Sequence, residues 1–230
     1  MQLITLAERF VINMLKFLRL IAVAILTSVV VSSPIFAKVT KFPIINLTAE
    51  QLQSMHAINE YVNSYQTLKS DFIYTGPKGQ SAAGILLISK PGKLRFEYAP
   101  PNLTLVVSDG KWLTIKTNRL KEKGDQLPLS ATPLRLVVAP KIDLLAETDV
   151  IGFESTDGIT SVSLMDRKDR FGGYIILVFD ETKNQIQQWV IVDGKGRRTT
   201  LQLANIETGG KFDPKLFIGK INRPGSSPGN

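Results

Sequence analysis

The chain contains no cysteine and one histidine in 230 residues. Without cysteine there is no disulfide, no thiolate metal site and no cysteine nucleophile. The same absence excludes a lipid anchor of the kind attached to a cysteine directly after a secretion signal, so the mature chain is expected to be soluble. His56 falls on the polar side of a helical stretch, where a solvated imidazole is the plain reading. A triad or metal role would need partners the sequence does not gather. Carboxylates are present but not paired by spacing, and no nucleophile elbow, phosphate loop or dinucleotide fingerprint occurs. Catalysis is therefore the weaker class, and no cofactor is expected.

Long apolar runs are also scarce. The longest lies in residues 1–37, which read as a secretory signal: a basic region ending in Lys16 and Arg19, an apolar or small run Leu20 to Val31, then Ser32 to Ala37. That run is about a dozen residues, short of the roughly 20 a spanning helix needs. Cleavage after Ala37 is expected, although Ile35 is larger than the small-residue rule prefers, and Met14 is a second candidate start. Residues 38–220 then form one domain, and 221–230, rich in Ser, Gly and Pro, read as a disordered tail. The whole chain carries +8, and beyond residue 37 there remain 25 basic and 19 acidic side chains, about +6. These charges are scattered, so nucleic acid is not an expected partner, whereas an anionic membrane surface or acidic partner stays open.

A helix starts at Thr48, which with Gln51 spells a capping box. Leu52, Met55, Ile58, Val62, Tyr65 and Leu68 then recur at three or four residues, so one stripe must lie against something apolar. The helix either covers a packed core or rests on a cavity from which it can shift. Strands follow at Lys69–Thr75, Ser81–Lys90, Lys93–Tyr98, Leu103–Ser108 and Lys111–Thr117. Later strands are Asp149–Glu154, Ile159–Asp166, Tyr174–Phe179, Gln185–Val192 and Arg198–Glu207. Pro91-Gly92, Asp109-Gly110, Asp157-Gly158, Gly172-Gly173 and Asp193-Gly194 supply the turns of an antiparallel meander. A sheet of about ten such strands is expected to curl partly or wholly into a barrel. The fold class is α+β, mainly antiparallel β.

Between Asn118 and Lys141 the strand pattern stops. Thr132 as cap and Pro133 in the first turn suggest a short helix through Leu134, Leu136, Val137 and Val138, and Ile142–Glu147 suggest a second. An apolar insertion in a meander must cover something. Ile85–Ile88, Leu105–Val107 and Ile175–Phe179 are apolar on both faces, which fits strands covered on two sides or lining an apolar interior. Phe212, Leu216 and Phe217 offer a way to pin the tail to the sheet.

The run GILLISKPGKLRFEY from Gly84, then PPN, VVSDGK and LPLSATPLRLV, with a late F-D-P-x-x-F from Phe212 to Phe217, resembles the LolA family of periplasmic outer-membrane lipoprotein carriers. The resemblance covers nearly all of residues 38–220. It implies an incomplete, half-open antiparallel barrel of about ten to eleven strands under a helical lid. It further implies an acyl-chain cavity, acylated lipoproteins as cargo, loading by the inner-membrane LolCDE exporter, and delivery to an outer-membrane acceptor, LolB-like or the membrane itself, by a periplasmic monomer. The acyl cavity and lid residues it suggests are Lys90, Leu94, Phe96, Leu105, Val107, Leu134, Leu136 and Val137. The family typically has arginine before the proline of this motif, holding the empty lid shut. Lys90 stands there instead, and an ammonium lacks the planar fork, so a looser or differently held lid is expected. Leu94 stands where some members carry an aromatic residue. A lipid-binding or envelope-stress sensor domain of the same half-barrel type is the alternative reading, and a secreted hydrolase the weaker one.

Overall fold

The computed structural model describes residues 42–120 and 124–219. The signal expected over 1–37 and the tail expected over 221–230 lie outside the described residues. Helix α1 (Ala49–Ser64) precedes β1 (Thr67–Thr75), β2 (Ser81–Ser89), β3 (Lys93–Tyr98), β4 (Leu105–Asp109), β5 (Trp112–Lys116) and β6 (Asp125–Pro128). An insertion follows, with a 3-10 turn (Leu129–Ala131), α2 (Arg135–Val138) and α3 (Leu144–Glu147). The chain then runs through β7 (Thr148–Thr156), β8 (Ile159–Asp166), β9 (Tyr174–Asp180), β10 (Gln185–Val192) and β11 (Arg198–Thr208) to a 3-10 turn at Pro214–Phe217.

All neighbouring strands pair antiparallel in one 11-stranded sheet of order β6-β5-β4-β3-β2-β1-β11-β10-β9-β8-β7. The first and last strands meet in the middle, which leaves β6 and β7 at the two ends of the sheet, where the Ile45 amide donates to the Val150 carbonyl of β7 at 2.9 Å. The sheet is therefore an incomplete barrel, and the insertion spans the sequence between its two edges. Strand β6 lies where the sequence shows no strand pattern: Asp125–Pro128 has no alternating apolar face and is held by pairing to β5 through Leu113↔Leu127 and Ile115↔Asp125.

Alternation decides which side chains face the helices. The rows Leu68–Ile88–Leu94 and Phe72–Gly84–Tyr98 cross β1, β2 and β3 on the inner face. With Leu177, Phe179, Trp189, Leu201 and others they form one buried cluster, which also takes Met55, Ile58 and Val62 from α1 and Leu134, Leu136, Val137 and Leu144 from the insertion. Gly84 is required in that row, because a Cβ there would meet the Glu97 carbonyl at 2.3 Å and the Phe72 ring at 2.6 Å. The space it leaves lets Phe72 stand edge-on to both Phe96 and Tyr98, with ring centroids 5.4 and 5.0 Å apart.

The doubly apolar strands have two separate causes. Their inner residues belong to the main core, and some outer ones are covered by satellites: Leu105 and Val107 by Phe217, and Ile176, Val190 and Val192 among themselves with Tyr174. Others remain bare, since Ile73 and Ile85 are 49% and 45% exposed on the outer face. The tail thus pins to the sheet through Phe217, which is buried, and through Arg95, whose Nη1 donates to the Leu216 carbonyl at 3.0 Å.

Candidate functional site

The candidate site is the apolar inner face together with the lid that α1 and the insertion make over it. Helix α1 begins as its capping box requires: Thr48 Oγ1 accepts from the Gln51 amide and Gln51 Oε1 accepts from the Thr48 amide. Met55, Ile58 and Val62 face the sheet and are fully buried, while Leu52, read as part of the same stripe, is an exposed residue one turn too early. His56 is exposed, as its place on the polar side implies. Thr132 does not cap α2. Its hydroxyl donates back to the Leu129 carbonyl at 2.8 Å, closing the preceding 3-10 turn, and α2 starts with no side-chain cap at Leu134.

Lys90 directly follows β2, and its side chain reaches the last turn of α1. Its Nζ donates to the Val62 carbonyl and lies 4.1 Å from the centroid of the Tyr65 ring, while its amide donates to the Gln66 carbonyl at 2.8 Å. Tyr65 passes the connection on, its hydroxyl donating to the Val137 carbonyl of α2 at 3.0 Å. The Gly92 amide, one turn beyond Lys90, donates to the Val138 carbonyl at 2.7 Å. Burial pulls the Lys90 ammonium down to about 8, and burial likewise pushes the Tyr61 hydroxyl up to about 12 and that of Tyr65 higher still.

Two asparagines on α1 complete the lid. Asn63 Oδ1 accepts from the Ile142 amide at 2.9 Å and its Nδ2 donates to the Ile142 carbonyl at 2.7 Å; Asn59 Oδ1 accepts from the Leu144 amide at 2.9 Å. They face one side of the helix at a spacing of four, so α1 and the insertion are stitched together. Reading α1 by its apolar stripe alone misses them; the polar pair flanking that stripe was the available signal.

The far end of the insertion is fixed by charge. Asp166, at the end of β8, has a fully buried side chain between Arg135 of α2, 3.1 Å away, and Arg170, 2.7 Å away. Burial raises the Asp166 carboxyl, but hydrogen bonds from Arg170, the Lys168 amide and Arg135 outweigh it and hold it at about 2. Arg135 and Arg170 also share Glu147 at 3.2 and 3.1 Å.

Of the residues expected at the cavity, Leu94 and Phe96 line the inner face and Leu134, Leu136 and Val137 cover it from the lid, all buried. Lys90 sits between the two. Leu105 and Val107 are not part of this group. They pair opposite Glu97 and Arg95, so alternation turns them to the outer face, where they pack with Phe217; Val106 and Ser108, opposite Phe96 and Leu94, are the β4 residues that face inward. Inside, the Trp189 indole N–H and the Tyr61 hydroxyl are buried with no hydrogen-bond partner among the described residues. Among the described residues no group of His, Cys, Asp or Glu is placed to hold a metal ion.

The family model described as outer membrane lipoprotein carrier protein LolA matches residues 63–220, from the end of α1 through the C-terminal turn. The chain belongs to the LolA family. An outer-membrane lipoprotein carrier protein of Methylococcus capsulatus is 23% identical over 168 residues, covering 70% of this chain and 80% of the relative. One from Pseudomonas aeruginosa is 25% identical over 179 residues, covering 74% and 84%. Among solved structures, a LolA superfamily protein from Nitrosomonas europaea aligns over 75% of this chain and 98% of its own, at 12% identity and a TM-score of 0.42. The LolA match begins at Asn63 and takes in Lys90, the insertion and the Phe212–Phe217 motif.

Proposed function

We propose that this chain is a periplasmic carrier that shelters the acyl chains of lipoproteins released from the inner membrane and hands them to the outer membrane. The observation that carries the reading is a continuous apolar inner face roofed by helices that meet it through Met55, Ile58 and Val62 and through a few polar links, among them the Lys90 ammonium, the Tyr65 hydroxyl, the Gly92 amide and the Arg135–Asp166 pair. Burying an acyl chain gains roughly 0.8 kcal/mol per methylene, so three fully sheltered chains would exceed any affinity proteins reach and could not be released. Opening the lid offsets that gain, which makes holding reversible.

Acylated lipoproteins are the cargo in this reading, an inner-membrane exporter of the LolCDE type the donor, and a LolB-like protein or the membrane itself the acceptor. The carrier works as a monomer without a cofactor, secreted by the signal read in residues 1–37. No helix among the described residues is long and apolar enough to cross a membrane. The test is release: inner-membrane vesicles bearing exporter and a tri-acylated lipoprotein should lose it to the soluble fraction, bound to this chain, when ATP is supplied. Lipoprotein that stays on the vesicles at every carrier concentration would contradict the proposal.

A further inference from the structure

At the end of the sheet where Lys90 meets α1, three loops come together. The Pro91-Gly92 turn joins β2 to β3, the Gly110-Lys111 turn joins β4 to β5, and Pro140-Lys141 follows α2. The two turns touch: Gly92 and Gly110 both have positive φ, and a Cβ on Gly92 would meet the Gly110 Cα at 2.7 Å. The insertion is tied to both, since the Gly92 amide donates to the Val138 carbonyl and the Leu129 amide to the Lys111 carbonyl at 3.0 Å. Among the three loops lies a depression of about 580 Å³, lined by Pro91, Lys93, Lys111, Leu129, Val138 and Pro140. Two other charged groups border it, and both are already engaged: Arg135 pairs with Asp166 and Glu147, and Asp109 Oδ1 accepts from the Lys111 and Trp112 amides at 2.8 Å. Lys93 is half-buried and Lys111 and Lys141 are exposed, and these three take part in no ion pair among the described residues.

We propose that this end of the molecule docks on an anionic bilayer, with Lys93, Lys111 and Lys141 on the phosphates of its headgroups. Each loop sets a lysine close to an apolar neighbour, Pro91, Trp112 or Pro140. An acidic protein surface is met best by arginine, whose planar fork matches a carboxylate, and the one arginine here is held inside by its own partners. Lysines are point charges on flexible apolar stems, which suits mobile headgroups above hydrocarbon. Near an anionic surface each lysine strengthens binding about fivefold. Basic residues elsewhere cannot replace them. Lys78, Lys195 and Arg198 stand at the opposite end of the strands, and β2 alone spans nine residues, about 30 Å, several times the Debye length of about 8 Å at physiological salt. The inference rests on the carrier reading for its purpose and adds to it the surface at which the carrier meets a membrane.

Flotation of the secreted chain with vesicles tests the dock without any cargo. The chain should float with vesicles of equal parts phosphatidylcholine and phosphatidylglycerol, stay behind with phosphatidylcholine alone, and come off as salt is raised. A variant carrying Lys93→Gln, Lys111→Gln and Lys141→Gln should bind roughly a hundredfold more weakly. A second variant of the same net charge, Lys78→Gln with Lys195→Gln and Arg198→Gln, should lose less than about threefold. Unfolding midpoints equal to that of the native chain check that both fold. Should the first triple not fold, Lys111→Gln and Lys141→Gln as single changes at exposed tips carry the test, at about fivefold each. Equal weakening in both triples would mean that net charge alone attracts the chain, and overturns the dock. A native chain that ignores the anionic vesicles at low salt overturns it too and leaves the lysines to an acidic protein. A chain that docks yet takes up no tri-palmitoylated lipopeptide contradicts the carrier reading and not the dock.

Discussion

In the proposed carrier, Lys90 is the residue placed to set the balance between a shut and an open lid, through its contacts with the Val62 carbonyl and the Tyr65 ring. A hydrogen bond from a charged donor contributes about 1.5–3 kcal/mol and an ammonium over an aromatic face about 0.5–2 kcal/mol, both opposed by the cost of drying the charge. That cost is what brings its pKa to about 8. When the lid opens, Lys90 returns to water and to the ordinary lysine range near 10.4. Between these values the open form holds a proton the closed form lacks, so raising the pH stabilises the closed lid, and lowering it below about 8 removes the dependence. The facing Tyr61 and Tyr65 hydroxyls are pushed up and stay protonated through this window. Lipopeptide uptake should therefore slow as pH rises from about 8 to 9.5, and Lys90→Met, which has nothing to titrate there, should lose that slope. A slope retained in the variant would assign it to another group. Lys90→Arg should load more slowly than the native chain at neutral pH, because a guanidinium can hold more than one lid carbonyl.

At the scale of elements, the asparagine clasp makes α1 and the insertion one roof. Asn63→Ala strands both polar groups of Ile142, a loss of about 1–3 kcal/mol, and amide exchange at Ile142 and Leu144 should speed up while β9 and β10 stay protected. Uniform acceleration would mean the clasp supports the whole fold instead of the lid. Gly84→Ala belongs to the sheet: its methyl collides with the Glu97 carbonyl and the Phe72 ring, and a destabilisation of about 1–3 kcal/mol in denaturant unfolding is expected. The sequence discloses these elements unequally. The α1 cap and the turns after β2, β4, β7 and β10 are local chemistry and are legible residue by residue. Strand β6 is set by a neighbour and the start of α2, at Arg135, by Asp166, which is distant in sequence, so local periodicity carries neither.

For the whole molecule, the meander and its curl follow from turn spacing, and the pairing of β1 with β11 follows from closing that curl on itself. What periodicity does not determine is which face of a doubly apolar strand looks inward. Leu105 and Val107 show the reason: both faces of β4 are buried, one by the lid side and one by the tail, and apolar residues look alike in either place. The two tryptophans are divided by the same geometry, with Trp189 on the inner face and Trp112 on the outer face of β5. The central claim is that acyl chains occupy the inner face, and brominated chains quench only indoles they touch. In a Trp112→Phe chain, a lipopeptide brominated along its acyl chains should quench the Trp189 emission on loading, and one brominated on its peptide should not. Loading without quenching of Trp189, together with quenching of Trp112 in the native chain, would put the lipid on the wrong side of the sheet and contradict the account.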